Sequence, residues 1–158
     1  MRKDTLDCLP SLEFIVTSCV GIDHIDLSEC RRRGISVANI GDAFSDDVAD
    51  CAVGLLIDVL RKVSAAHRFV RAGSWPELEV FPLGSRFLVD GRIRGAGLDV
   101  FQNEPYVPKE LFGLDNVVLS PHQAFFTPDS FKAAEDISVA NLEAFFSNKP
   151  LISPIRRD

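Results

Sequence analysis

Short apolar runs alternate with helical patterns along the first half of the chain. Residues 13–18 (EFIVTS) read as a short strand that exits at Cys19-Val20-Gly21. Asp26 stands where a helix N-cap belongs, the helix runs to Arg33, and Gly34 stops it. Residues 35–39 form a second apolar run, and the strand–helix–strand rhythm predicts a parallel pair. Ser45 opens a long helix with Asp46 and Asp47 in its first turn, where negative charge suits the helix dipole. Val48, Ala52, Leu55, Leu56, Val59, Leu60 and Val63 recur at helical spacing, which predicts one broad apolar face and a helix reaching Val70 before Gly73. Trp75-Pro76 and Pro82-Leu83-Gly84 mark an irregular connection. Two further strands are expected at 95–101 and 116–120. Thr127-Pro128-Asp129 then opens a last helix with a capping threonine and a first-turn proline, its apolar stripe being Phe131, Ala134, Ser138, Leu142 and Phe145.

Composition narrows the class. A chain of 158 residues with 46% hydrophobic content has enough apolar material for a globular core. Its 17 basic and 23 acidic residues give a net charge of −6, which argues against nucleic acid as a partner. The one basic cluster, Arg31 to Arg33, falls at the end of a predicted helix and complements its dipole. Cys8, Cys19, Cys30 and Cys51 make no CxxC pair, so no metal site is expected; Cys19 and Cys51 lie in apolar stretches and read as small core residues. Unpaired thiols suit a reducing compartment. The opening MRKDTLDCLP has no apolar run behind its basic residues, and no stretch approaches a membrane span, so a cytoplasmic protein is expected.

The chemistry concentrates between residues 95 and 122. The run GAGLDVFQNEP carries Glu104 just beyond a strand, and NVVLSPH ends in His122. If these strands are parallel neighbours, both side chains leave the carboxyl edge of the sheet, where open α/β sheets bind ligands. A carboxylate beside an imidazole favours its protonated form, and a reductase of carbonyls needs such a proton source beside its hydride donor. His24 and Asp26 suit a helix entry better than a metal, and no GxSxG elbow supports a serine hydrolase.

Four segments, LPSLEFIVTSCVGIDHIDL (9–27), RRRGISVANIGDAFSDDVADCAVGLLIDVLRKV (31–63), DGRIRGAGLDVFQNEP (90–105) and DNVVLSPH (115–122), together resemble the D-isomer-specific 2-hydroxyacid dehydrogenases, above all the plant-type glyoxylate/hydroxypyruvate reductases. The resemblance implies that His122 is the general acid/base and Glu104 its supporting carboxylate. It implies that Asp99 contacts the nicotinamide end of the cofactor, and that Val20 and Gly21 lie in the loop whose amides hold the substrate carboxylate. It also implies a small 2-oxo acid as substrate, NADPH or NADH as cofactor, and a homodimer. After His122 the chain departs from the family's usual Gly-Ser pair: it reads Gln123-Ala124-Phe125-Phe126, an aromatic pair that would reshape the pocket.

A second departure lies at 86–88. There PLGSRF runs almost directly into LVDGRIRGAGLDVF, and the phosphate-binding fingerprint GxGxxG occurs nowhere in the chain. By domain size, on the order of 100 residues of the family's cofactor domain are missing. The family's catalytic arginine would belong to that stretch, and Arg86, Arg92 and Arg94 do not stand in its motif. The expected fold is therefore α/β, with partial doubly wound parallel sheets. Residues 1–44 are expected as part of a substrate domain and 45–87 as a connecting helix with its exit loop. Residues 88–123 are expected as the last strands of an NAD(P)-binding domain and 124–158 as a helix returning to the substrate domain. The alternative to an enzyme is a non-catalytic fragment that pairs with a full-length reductase subunit.

Overall fold

The computed structural model describes residues 1–78, 95–114 and 116–155. The junction at 86–88, with Arg86, Arg92 and Arg94, lies outside these described residues, as does the expected turn at Pro82-Leu83-Gly84. The chain divides into two units, one of residues 1–45 and 126–158, the other of residues 46–125. Among the described residues no helix is long and apolar enough to cross a membrane.

The first unit is built on strands β1 (Phe14–Val16) and β2 (Ser36–Ala38), which pair in parallel with Phe14 opposite Ser36. Helix α1 (Lys3–Asp7) precedes them and α2 (Leu27–Arg33) connects them. Both ends of α2 follow the expected chemistry: the Asp26 carboxylate accepts the Glu29 amide at 2.9 Å, and Gly34 ends the helix at a left-handed φ of 74°. Leu6, Ile25, Cys30, Ile35 and Val37 form the core, with Leu12, Ile15 and Ile155 packed on it. The basic cluster does more than face a dipole. Arg32 and Arg33 both bond the buried Glu29 carboxylate, at 2.6 to 2.8 Å, and Arg33 reaches on to the Leu6 carbonyl and to Asp7.

Helix α6 (Pro128–Phe146) closes this unit, and Thr127 Oγ1 accepts the Ser130 amide at 3.1 Å as its N-cap. Phe145 stacks on Phe14 of β1 with ring centroids 4.6 Å apart. The expected stripe is corrected in part: Phe131 and Leu142 are exposed, whereas Ser130, Ala134, Asn141 and Ala144 are the buried positions. Asn141 explains the shift. Its amide donates to the Ile137 carbonyl and to Ser153 Oγ, and its oxygen accepts the Ile152 and Ser153 amides, so a polar side chain clamps the last segment. That segment in turn bonds the edge of β2, through Asn39 to Ser153 and Ile155 to Val37. A second correction concerns Cys19, which is exposed; Cys30 is the buried thiol and Cys51 is half-buried.

In the second unit the long helix is two helices, α3 (Ser45–Arg61) and α4 (Val63–Arg71). Lys62 takes a left-handed φ of 53° between them. Asp58 supplies the reason: its carbonyl accepts the Lys62 amide, while its carboxylate accepts the Ser64 amide at 2.7 Å and the Ser64 hydroxyl, capping a new helix. Trp75-Pro76 opens a short helix, α5 (Trp75–Leu78), where an irregular connection was expected. Strands β3 (Ala96–Leu98) and β4 (Val117–Leu119) pair in parallel, with Gly97 opposite Val118.

Helix α3 lies close against β3 because β3 is built on glycine. A Cβ on Gly97 would meet Leu55 Cβ at 2.7 Å, and one on Gly95 would meet Val59 Cγ1 at 2.6 Å and the Asn116 carbonyl oxygen at 2.7 Å. Elsewhere the apolar face of α3 and α4 is open: Val53, Leu56, Ile57, Leu60, Val63 and Val70 are each roughly half exposed.

Candidate active site

Parallel pairing of β3 and β4 sends both strands out of the sheet at one edge. The loop after β3 carries Asp99 and Glu104, and the turn after β4 carries His122. Glu104 spans the two loops. Its Oε1 accepts the Phe101 amide at 2.8 Å, which ties it to its own strand, and its Oε2 lies 2.7 Å from His122 Nδ1. An ionised carboxylate only accepts, so the imidazole proton sits on Nδ1 and donates to Glu104. Nε2 is then the nitrogen left for proton transfer. The hydrogen bond from His122, followed by that from the Phe101 amide, holds the Glu104 carboxyl below the usual range. It is therefore charged at neutral pH.

Asp99 makes a different pair of bonds. Its two carboxylate oxygens accept the backbone amides of Gln123 and Ala124, each at 3.0 Å. Burial pushes its carboxyl up, but the Ser120 hydroxyl and these two amides, together with nearby His122, more than offset this and set it below the ordinary value. His122 itself has a left-handed φ of 52°, a conformation that costs a non-glycine residue energy and is most often met where the surroundings impose it. The Phe125 ring meets the imidazole edge-on, with centroids 5.7 Å apart. His122, Asp99 and Phe125 border a largely apolar cavity of about 430 Å³, whose far side is the Val48, Cys51 and Leu55 face of α3. Burial and the Asp99 charge push the Cys51 thiol up, so it stays protonated there.

Three of the five residues singled out from the sequence thus come together: His122, Glu104 and Asp99. Val20 and Gly21 belong to the other unit, in the exposed loop after β1, where the Val20 carbonyl accepts Asn39 Nδ2 at 3.0 Å. A Cβ on Gly21 would meet nothing within 4 Å. His24 is exposed beside the Asp26 cap, and His67 is exposed on α4. The brace from Asp99 to the turn was not foreseen, and neither was the close approach of α3 to β3. A glycine at alternate positions of a strand is the sequence signal for the second.

The family model for the D-isomer specific 2-hydroxyacid dehydrogenase catalytic domain matches residues 1–156. The chain belongs to this family. It is 38% identical to a glyoxylate/hydroxypyruvate reductase of Arabidopsis thaliana, in a match covering all of this chain and 80% of that protein. The matched span is 260 residues against 158 here, a difference of about 100. A hydroxyphenylpyruvate reductase of Plectranthus scutellarioides is 28% identical, over 96% of this chain and 81% of its own length. Among solved structures, the NADPH-dependent glyoxylate/hydroxypyruvate reductase of Sinorhizobium meliloti with citrate superposes at a TM-score of 0.88 and 25% identity, over 99% of this chain and 83% of that one. The same enzyme in complex with NADP and malonate superposes at 0.84, over 97% and 82%.

Family members bind NAD(P)H, and the residues here fit that group incompletely. A dinucleotide's phosphates are held by backbone amides of a glycine-rich turn at a helix N-terminus. The chain's one Gly-x-Gly among the described residues, Gly95 and Gly97, lies on β3, and the space above both glycines is already filled by Val59 and Leu55 of α3. These are packing glycines and leave no room for a phosphate.

Proposed function

We propose that this chain carries the proton-handling site of a 2-oxo acid reductase acting on glyoxylate or hydroxypyruvate. The observation that carries the reading is the 2.7 Å bond between Glu104 and His122 Nδ1 at the carboxyl ends of two adjacent parallel strands. In this reading His122 delivers its Nε2 proton to the carbonyl oxygen of the substrate as the carbonyl carbon is reduced. Glu104 accepts from Nδ1 and holds the ring in place, which leaves Nε2 for the transfer. By the family resemblance, the amides at Val20 and Gly21 are the groups that would hold the substrate carboxylate, and Asp99 the residue that would contact the nicotinamide end of NADPH or NADH. Four unpaired cysteines suit a cytoplasmic setting.

The test is reduction of glyoxylate and hydroxypyruvate by the purified chain, followed at the nicotinamide absorbance with NADPH and with NADH. His122→Ala serves as the control, and NADPH fluorescence enhancement reads cofactor binding separately. Saturable binding, with turnover that His122→Ala abolishes, supports the reading. Absence of binding up to about a millimolar, weaker than roughly −4 kcal/mol, defeats it as a statement about this chain alone.

The second reading is a non-catalytic chain that pairs with a full-length reductase subunit or with its own copy. The half-exposed apolar face of α3 and α4 favours it, since monomers rarely leave such a continuous patch open. Co-purification with a full-length relative supports this reading, and failure to associate at micromolar concentration rejects it.

A further inference from the structure

Two carboxylates converge on the turn that presents His122, and only one of them touches the imidazole. Glu104 bonds the ring. Asp99 bonds the backbone immediately after it, through both oxygens and two successive amides. Two consecutive N–H groups pointing at one carboxylate require the chain to curl at residues 122–124, and His122 sits at a φ of 52° where that curl begins. A histidine enters the left-handed region more readily than most residues, and its ring bond to Glu104 constrains the side chain rather than the backbone that follows it. The Asp99 carboxylate does, because opening the turn would strip two charge-assisted hydrogen bonds from a half-buried acid. Ser120, on the near side of the turn, contributes a third bond to the same acid.

We infer that Asp99 is a positioning residue: by bracing the 122–124 turn it sets the backbone angle that brings His122 Nδ1 onto Glu104, and so fixes which ring nitrogen faces the substrate. The inference rests on the reading of His122 as the proton donor and adds the device that orients it. It also accounts for the division of labour between the two acids. Glu104 is tied to its own loop by the Phe101 amide, so its carboxylate is fixed locally and does not follow a wandering ring. The ring must be brought to it, and the turn is what brings it. The other ionisable group bordering the cavity among the described residues is Cys51 on α3, which stays neutral and cannot substitute for either carboxylate.

The experiment is nitrogen-15 NMR on the purified chain, with wild type, Asp99→Asn and Glu104→Gln compared. Two signals are read: the tautomer of neutral His122, from its ring nitrogens, and hydrogen exchange of the Gln123 and Ala124 amides. In wild type the ring carries its proton on Nδ1 and the two amides are protected. Asp99→Asn keeps the shape but turns an amide group towards an N–H donor. It is expected to speed exchange at the turn on the order of tenfold or more and to relax the Nδ1 preference, although Glu104 is intact. Glu104→Gln is expected to alter the tautomer while leaving the turn amides protected. A merely structural role for Asp99 would lower stability and leave the tautomer of the folded protein unchanged. That result, or turn amides as protected in Asp99→Asn as in wild type, overturns the inference. Should Asp99→Asn fail to fold, Asp99→Ser keeps one oxygen acceptor at the strand end and is read in the same way. Turnover that survives His122→Ala would sink the proton-donor reading instead, and leaves the NMR result standing as a statement about the turn.

Discussion

Replacing Gly97 with alanine tests the packing that supports the site. The added methyl would stand 2.7 Å from Leu55 Cβ, with the Leu55 carbonyl carbon and Cα at 3.5 and 3.6 Å. Ordinary contact between carbon atoms begins near 3.5 to 4.0 Å, so strand and helix must separate by about 1 Å. The atom in the way is a Cβ attached to the helix backbone, so no side-chain rotation relieves the clash, and α3 as a whole must move. Overpacking of this kind costs about 1–3 kcal/mol. Part of it is offset because alanine has less chain entropy to lose than glycine, roughly 0.4–1 kcal/mol. A net loss of about 1–2 kcal/mol is therefore expected in urea denaturation. Gly54→Ala is the matched control: it lies in α3, meets nothing within 4 Å, and should gain about 0.5–1 kcal/mol from helix propensity alone. A Gly97→Ala chain as stable as Gly54→Ala would refute the close approach of α3 to β3.

Other expectations follow from single features. Glu29 is held by its bonds to Arg32 and then Arg33 at about 2, against an ordinary 4.5. A lowered folded-state value means the stabilisation is complete above about 4.5 and is lost as the pH falls towards about 2. Urea midpoints of wild type should therefore drop more steeply across that window than those of Glu29→Gln, and equal slopes would remove the pair from the account. Asn141→Leu keeps the volume but orphans the Ile152 and Ser153 amides, and a loss of about 2–4 kcal/mol is expected by thermal or urea denaturation. Asp58→Ala removes the cap of α4, for an expected loss of about 1 kcal/mol and faster amide exchange at Ser64; unchanged exchange there would show that the helix break has another cause.

Local signals were legible in proportion to how local their physics is. The Asp26 cap, the Gly34 stop and the Thr127 cap are decided by neighbours three residues away, and all three stand where the residue types put them. Parallel pairing of the strands flanking α2 followed from the strand–helix–strand rhythm alone. What stayed hidden depends on partners distant in sequence or on competition between polar groups. Asp58 sits in an unbroken apolar repeat, and nothing in the period reveals that its carboxylate will claim Ser64. Asn141 looks like a surface position until the segment at 152–153 supplies its partners. In the site, Glu104 and His122 could be paired on paper because each lies in the exit of one of two strands expected to be neighbours. The two bonds from Asp99 could not, since they are made to backbone that every residue shares.

The contacts around His122 are local in sequence. Among the described residues, the hydrogen bonds at Glu104, His122 and the turn after it are made between residues 99 and 124, in the exit loops of two adjacent strands. No described residue upstream of β3 takes part in these four bonds. Binding a dinucleotide depends on a different unit of structure, a turn at a helix start that must be supplied whole. Orientation of the imidazole is thus built from short-range contacts within one strand pair, whereas phosphate recognition in dinucleotide-binding folds is carried by a separable element. An imidazole can therefore be oriented by one strand pair and its exit loops, independently of the element that binds a dinucleotide's phosphates.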